Sequence, residues 1–217
     1  MHREGYGAVT FFTVAALIMT SAGWRFYPGP VFQSLALLMW ALLGFTIYFF
    51  RDPERHSDAP PEAIISPADG VVVEILETDE PLFFGERVRK IGIFMSPLDV
   101  HVNRAPIEGE VTYFRYQHGS FMRADLAEAA VRNEQAIIGM EKDGRKVLFK
   151  QIAGFVARRI CCEVRSGDYL QRGERIGMIK FGSRVDVYLP LSVQITVSLR
   201  ERLRAGESII GVFANVS

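Results

Sequence analysis

Charge is almost missing from the first fifty residues: Arg3, Glu4 and Arg25 are the only charged side chains before Arg51. A stretch so bare cannot present the solvated surface of an ordinary soluble domain. The chain as a whole lacks net charge, with 25 basic and 25 acidic residues. That balance excludes a nucleic-acid binder working through a basic field. Cysteine is scarce: the two present, Cys161 and Cys162, are neighbours. Adjacent strand residues point to opposite faces, so a bridge between them would be strained. No disulfide framework is available, and the pair reads as small buried hydrophobes in a reducing compartment. The four histidines, His2, His56, His101 and His118, show no metal-ligand spacing, so no metal is expected.

What the N-terminal fifth does have is length without charge. Gly5 to Trp24 and Phe26 to Phe50 are each long enough as helices to span a hydrocarbon core of roughly 30 Å, which takes about 20 residues. Arg25-Phe26-Tyr27-Pro28-Gly29-Pro30 reads as a tight turn, and Tyr6, Trp24, Tyr27 and Tyr48 stand near the run ends as interfacial aromatics do. Residues 1–50 are therefore expected to form a membrane-associating helical hairpin. A signal peptide fits less well, because the basic n-region is weak and a second apolar run follows at once. Arg3, Arg51 and Arg55 outnumber Arg25, favouring cytoplasmic ends. A hairpin that only dips into one leaflet is the alternative. Residues 51–63, with Asp58-Ala59-Pro60-Pro61-Glu62, read as a linker.

From Ile64 to Ser217 the pattern changes to short β-type runs between turns. Val71–Leu76, Arg89–Phe94, Val100–Arg104, Gly109–Tyr116 and Lys146–Ile152 are strand signatures, the last following the turn Asp143-Gly144. Only Ala124–Arg132 looks helical. A weak repeat, Ser166–Gly177 echoed by Arg204–Gly211, resembles the glycine corners of barrel-sandwich hybrid folds, although any β protein repeats such turns. The expected fold is mainly β: a barrel-sandwich-hybrid-like domain preceded by the helical hairpin.

Three residues could carry chemistry. Asp69 lies in Ser66-Pro67-Ala68-Asp69-Gly70, which also reads as a plain turn. His101 lies in Ser96-Pro97-Leu98-Asp99-Val100-His101-Val102-Asn103-Arg104-Ala105-Pro106, an alternating strand where a lone histidine is more often structural than catalytic. Ser183 lies in Lys180-Phe181-Gly182-Ser183-Arg184, by turn statistics a bend between strands. Together they could form a relay in which Asp orients His and His activates the hydroxyl.

The Ser-Pro-Ala-Asp-Gly segment, the Ser-Pro-Leu-Asp-Val-His-Val-Asn-Arg-Ala-Pro run, Asn133-Glu134 and the late Phe-Gly-Ser-Arg, behind an apolar N-terminus, resemble phosphatidylserine decarboxylases. More narrowly, the chain resembles the short bacterial and archaeal form of that proenzyme, over nearly its whole length. The resemblance implies self-cleavage between Gly182 and Ser183 into a β chain, 1–182, and an α chain, 183–217. Ser183 would become a covalent pyruvoyl group, the cofactor, which forms a Schiff base with phosphatidylserine and releases CO2 to leave phosphatidylethanolamine. Asp69 matches the family's relay aspartate. His101 matches the first histidine of a motif that reads Tyr-His-Arg-X-His-X-Pro in longer members. The second falls on Arg104 here, and His118 is the alternative relay residue. Asn133-Glu134-Gln135 departs from a commoner Asn-Glu-Arg. The partners implied are the lipid, the membrane on its cytoplasmic face and the two cleaved chains held together; a homo-oligomer stays open.

A different class of function fits part of the pattern. A membrane-anchored lipoyl- or biotinyl-like carrier needs a lysine at a hairpin tip, and Met178-Ile179-Lys180 is a poor version of that motif.

Overall fold

The computed structural model describes residues 1–25, 29–119, 133–154, 160–180 and 183–214. The chain divides into two compact units, Met1–Pro53 and Glu54–Ser217.

The first unit holds a short 3-10 turn, Arg3–Gly5, and two helices, α1 (Tyr6–Arg25) and α2 (Pro30–Phe49). Pro30 opens α2, where its missing N–H costs nothing. Both helices are long and apolar enough to cross a membrane. Trp40 donates to Thr20 Oγ1 across the pair at 3.2 Å, and His2 N–H to the Phe50 carbonyl at 2.8 Å. Large apolar side chains such as Phe11, Leu17, Val31 and Leu37 are exposed. The turn expected over Arg25–Pro30 lies partly outside the described residues.

The second unit is built of strands: β1 (Ala63–Ile65), β2 (Gly70–Glu80), β3 (Glu86–Met95), β4 (Val102–Arg104), β5 (Gly109–Gln117), β6 (Gln135–Lys142), β7 (Arg145–Ile152), β8 (Ile160–Cys162), β9 (Tyr169–Leu170), β10 (Arg175–Ile179), β11 (Ser183–Pro190), β12 (Gln194–Ile195), β13 (Arg202–Leu203) and β14 (Ile209–Val212). Eight of them form one curled sheet, a half-barrel, in the order β13-β2-β3-β11-β7-β6-β5-β9. The other two sheets have three strands each, β4-β10-β8 and β1-β14-β12. The expectation of a mainly β fold after two apolar helices is what the structure shows. The helix expected at 124–132 lies outside the described residues.

Alternation decides the faces. On β11, Val185, Val187 and Leu189 join Ile91, Ile93, Ile138, Met140, Val147 and Phe149 in one core, which also takes Ile64, Ile176, Ile179 and Ile210 from the smaller sheets. The opposite face carries a second cluster, Val88, Ile137, Leu148 and Tyr188, with Phe83 and Phe84 packed on it. Asp143 and Gly144 take φ values of 51° and 75° and join β6 to β7 as a two-residue hairpin.

The expected strand Val100–Arg104 begins only at Val102. The cause is local. Ser96 N–H donates to Asp99 Oδ2 at 2.8 Å and Asp99 N–H to the Ser96 carbonyl at 2.9 Å, a turn that holds His101 just ahead of the strand.

Candidate active site

One end of the eight-stranded sheet gathers the singled-out residues. Its strands are antiparallel, so the starts of β2, β6 and β11 meet the ends of β3 and β7 there. Ser183 is the first residue of β11, the strand between β3 and β7, and pairs with Met95. It is completely buried, and its Oγ lies 3.4 Å from Met95 Sδ. Gly182 lies outside the described residues.

His101 is also completely buried. Its backbone carbonyl accepts from Ile179 N–H at 3.3 Å, and β10 lies against β4 with Met178 opposite Val102. His101 is therefore fixed to the last residue of the strand that leads into Lys180–Ser183. Its Nδ1 is 2.9 Å from the Asp99 carbonyl. A carbonyl only accepts, so Nδ1 carries the proton and Nε2 is the basic nitrogen of the neutral ring. On its other side β10 lies close against β8, and Gly177 permits that approach. It has φ of 141°, and a Cβ there would stand 2.0 Å from the Cys161 carbonyl oxygen of β8.

Asp69 is buried at the head of β2. Its carboxylate forms a two-pronged ion pair with Arg55 and accepts from Ala205 N–H at 2.8 Å and from Val100 N–H at 3.4 Å. The last contact places Asp69 beside the residue preceding His101. Arg55, in the stretch read as linker, is thus a buried part of this unit, its Nη1 also bonded to the Ala205 carbonyl at 2.7 Å. His118 has a different setting. Its side chain is 89% exposed and lies 3.9 Å from Glu134, which also accepts from the Tyr116 hydroxyl. Burial, with the Glu134 carboxylate added, raises the Tyr116 pKa well above the ordinary phenol value. Asn133 donates to the Ala153 carbonyl at 2.7 Å, tying the start of β6 to the end of β7.

Two groups went unnoticed in the sequence. Arg184, next to Ser183, lies buried on the opposite face of the sheet, paired with Glu74 and Asp186, and Lys90 reaches Glu74 at 2.7 Å. Burial drives the Asp186 carboxyl above the usual aspartate range, against the pull of Arg184. Burial acts the same way on Glu74, but Lys90 and Arg184 outweigh it and hold that carboxyl below its usual range. On the inner face, Gln151 Nε2 donates to Asn103 Oδ1 at 2.9 Å, and Asn103 Nδ2 to the Pro67 carbonyl at 3.3 Å and to Met95 Sδ at 3.7 Å. Met95 sulfur therefore stands between the Ser183 hydroxyl and a buried amide pair. The signal for Gln151 was its phase: it takes the inward position of β7 after Val147 and Phe149.

The sequence profile described as phosphatidylserine decarboxylase matches residues 42–211. The chain belongs to the phosphatidylserine decarboxylase family. A relative from Magnetococcus marinus, named phosphatidylserine decarboxylase proenzyme, is 45% identical over 210 residues, covering 96% of this chain and 93% of its own. One from Desulfotalea psychrophila with the same name is 46% identical over 180 residues, 82% and 84% of the two chains. Another so named, from Syntrophus aciditrophicus, is 40% identical over 215 residues, 97% and 96%. The decarboxylase profile reaches strands of all three sheets, from within α2 to within β14.

Proposed function

We propose that this chain cuts itself between Gly182 and Ser183, that residue 183 becomes a pyruvoyl group, and that the product decarboxylates phosphatidylserine to phosphatidylethanolamine. The observation carrying this reading is Ser183 itself, a fully buried hydroxyl at the head of a central strand with His101 pinned to the strand leading into it.

In the cleavage, His101 Nε2 takes the Ser183 proton and Oγ attacks the Gly182 carbonyl, exchanging the amide for an ester. Loss of the Ser183 α-proton expels the Gly182 carboxylate and leaves dehydroalanine. Water then replaces its nitrogen as ammonia, leaving the ketone. Asp69 acts through position: its contacts with Arg55, Ala205 and Val100 fix the segment that carries His101. The surroundings fit a small ketone: among the described residues, the Met95 thioether lies beside residue 183 and the Asn103–Gln151 amides lie beyond it. When present, the ketone supplies an electrophile for the substrate amine and an electron sink for the bond broken as CO2 leaves. The protein's part is to exclude water and hold the headgroup. Covalent attachment to two apolar helices keeps that unit at a bilayer, where a lipid substrate resides. Other lipids with a serine headgroup belong to the same substrate class. The carrier reading centred on Lys180 loses its support with membership of an enzyme family.

Replacing Ser183 by Ala tests the whole scheme. We expect one intact chain of 24.4 kDa and no CO2 release, where the wild type gives two chains with a blocked N-terminus at residue 183. Intact mass spectrometry and a CO2-release assay read both. A wild type that is active while uncut would overturn the proposal.

A further inference from the structure

The Asn103–Gln151 pair leaves one atom unaccounted for. The Pro67 carbonyl can only accept, so Asn103 must turn its NH2 toward it and its Oδ1 toward Gln151. Gln151 must then give its own NH2 to Asn103. That orientation commits Gln151 Oε1 as an acceptor, and it is buried without a hydrogen-bond partner among the described residues. Gln151 is completely buried. An unmet buried oxygen costs free energy, and a donor brought in by a ligand would offset that cost.

Its place says which ligand. Gln151 sits opposite Val185, two residues from Ser183 on the same face of β11. Such diagonal neighbours are roughly 7–8 Å apart, within reach of a long side chain. Residue 183 is where a substrate amine must arrive, and an amine or ammonium is a donor. We infer that Gln151 Oε1 is the acceptor that receives the amino group of the serine headgroup beside residue 183, and that Asn103 is the residue that orients it. A carboxylate here would hold the ammonium charged and non-nucleophilic; a neutral amide oxygen positions the amine and still lets it lose its proton. This assignment rests on the pyruvoyl reading of residue 183.

The test is Gln151→Met, which keeps length and apolar bulk but removes the acceptor, alongside Gln151→Asn, which withdraws the amide by one methylene. Both are made in the full chain in detergent. Three quantities are read: chain cleavage by intact mass, ketone content by phenylhydrazine labelling, and capture of phosphatidylserine or phosphatidylethanolamine on residue 183, fixed by cyanoborohydride as a mass increment. We expect cleavage and ketone content within about twofold of wild type, while lipid capture and kcat/KM fall about 10- to 100-fold, the loss of one hydrogen bond to a charged or polarised group. Wild-type capture in Gln151→Met would overturn the inference. So would loss of cleavage in both variants, which would assign Gln151 to self-processing, or failure of both to fold, which would make it a core-building residue. Absence of a ketone in the wild type would instead sink the pyruvoyl reading.

Discussion

Cys162 shows how strongly a single site in this fold departs from its sequence. Burial pushes its thiol from about 9 up to about 11, opposed only by a backbone hydrogen bond with Val164. The sign is that of an acid kept neutral: less thiolate at every pH below 11 than in the unfolded chain. At pH 8 the thiolate fraction drops from about a tenth to about a thousandth, so alkylation of Cys162 should run about a hundredfold slower in the native protein than in urea. Below pH 11 the native rate should rise about tenfold per pH unit. Iodoacetamide labelling with peptide mapping measures this, and equal rates in both states would show an exposed thiol. Cys161 and Cys162 were expected to be buried; both are half-buried, and Cys162 packs against the core. Asn103 and Gln151 were less legible. Each is a polar residue in an inward phase, and the two lie 48 residues apart, beyond any local pattern.

Elements were legible where their contacts are local. Val71–Leu76 and Lys146–Ile152 are short β-type runs that follow turns, and they lie in β2 and β7. The start of β4 was not legible, because the Ser96–Asp99 turn competes with strand propensity over the same residues. Nor was the ionic cross-link of β2, β3 and β11, since Arg184 and Glu74 are 110 residues apart. Gly92 makes that link sterically feasible: a Cβ there would lie 2.5 Å from Arg184 Nη2 and 2.9 Å from Cζ. Gly92→Ala should therefore push the guanidinium off Glu74 and Asp186 and cost about 1–3 kcal/mol. Urea unfolding of that substitution in the uncut Ser183→Ala background checks it. An unchanged midpoint would mean that Arg184 finds an equivalent seat.

On the scale of the whole molecule, the apolar helices and the β unit keep separate interiors, Met1–Pro53 and Glu54–Ser217. Asp69, His101 and Ser183 and the partners described for them all lie in the second. A chain starting at Glu54 should fold and cut itself, but no longer sediment with phospholipid vesicles. Its kcat/KM on vesicle-borne phosphatidylserine should fall at least about tenfold, through lost local concentration, with little change on a short-chain substrate dispersed in detergent. Vesicle sedimentation and paired assays decide this. Failure of the shortened chain to cleave would assign the helices a part in maturation.

The position of β11 has a consequence for assembly. With a break after residue 182, the fragment from 183 onward owns β11 between β3 and β7, β13 at the sheet edge, and β14 beside β1 with β12 beyond it. It is woven through two sheets, and no surface-to-surface docking could insert it afterwards. If the chain cuts itself there as proposed, the order of events follows: the intact chain reaches its native topology first, and cleavage comes after. Maturation becomes a one-way record that folding succeeded. Once denatured, the mature enzyme faces a bimolecular, concentration-dependent search that its single-chain precursor never met.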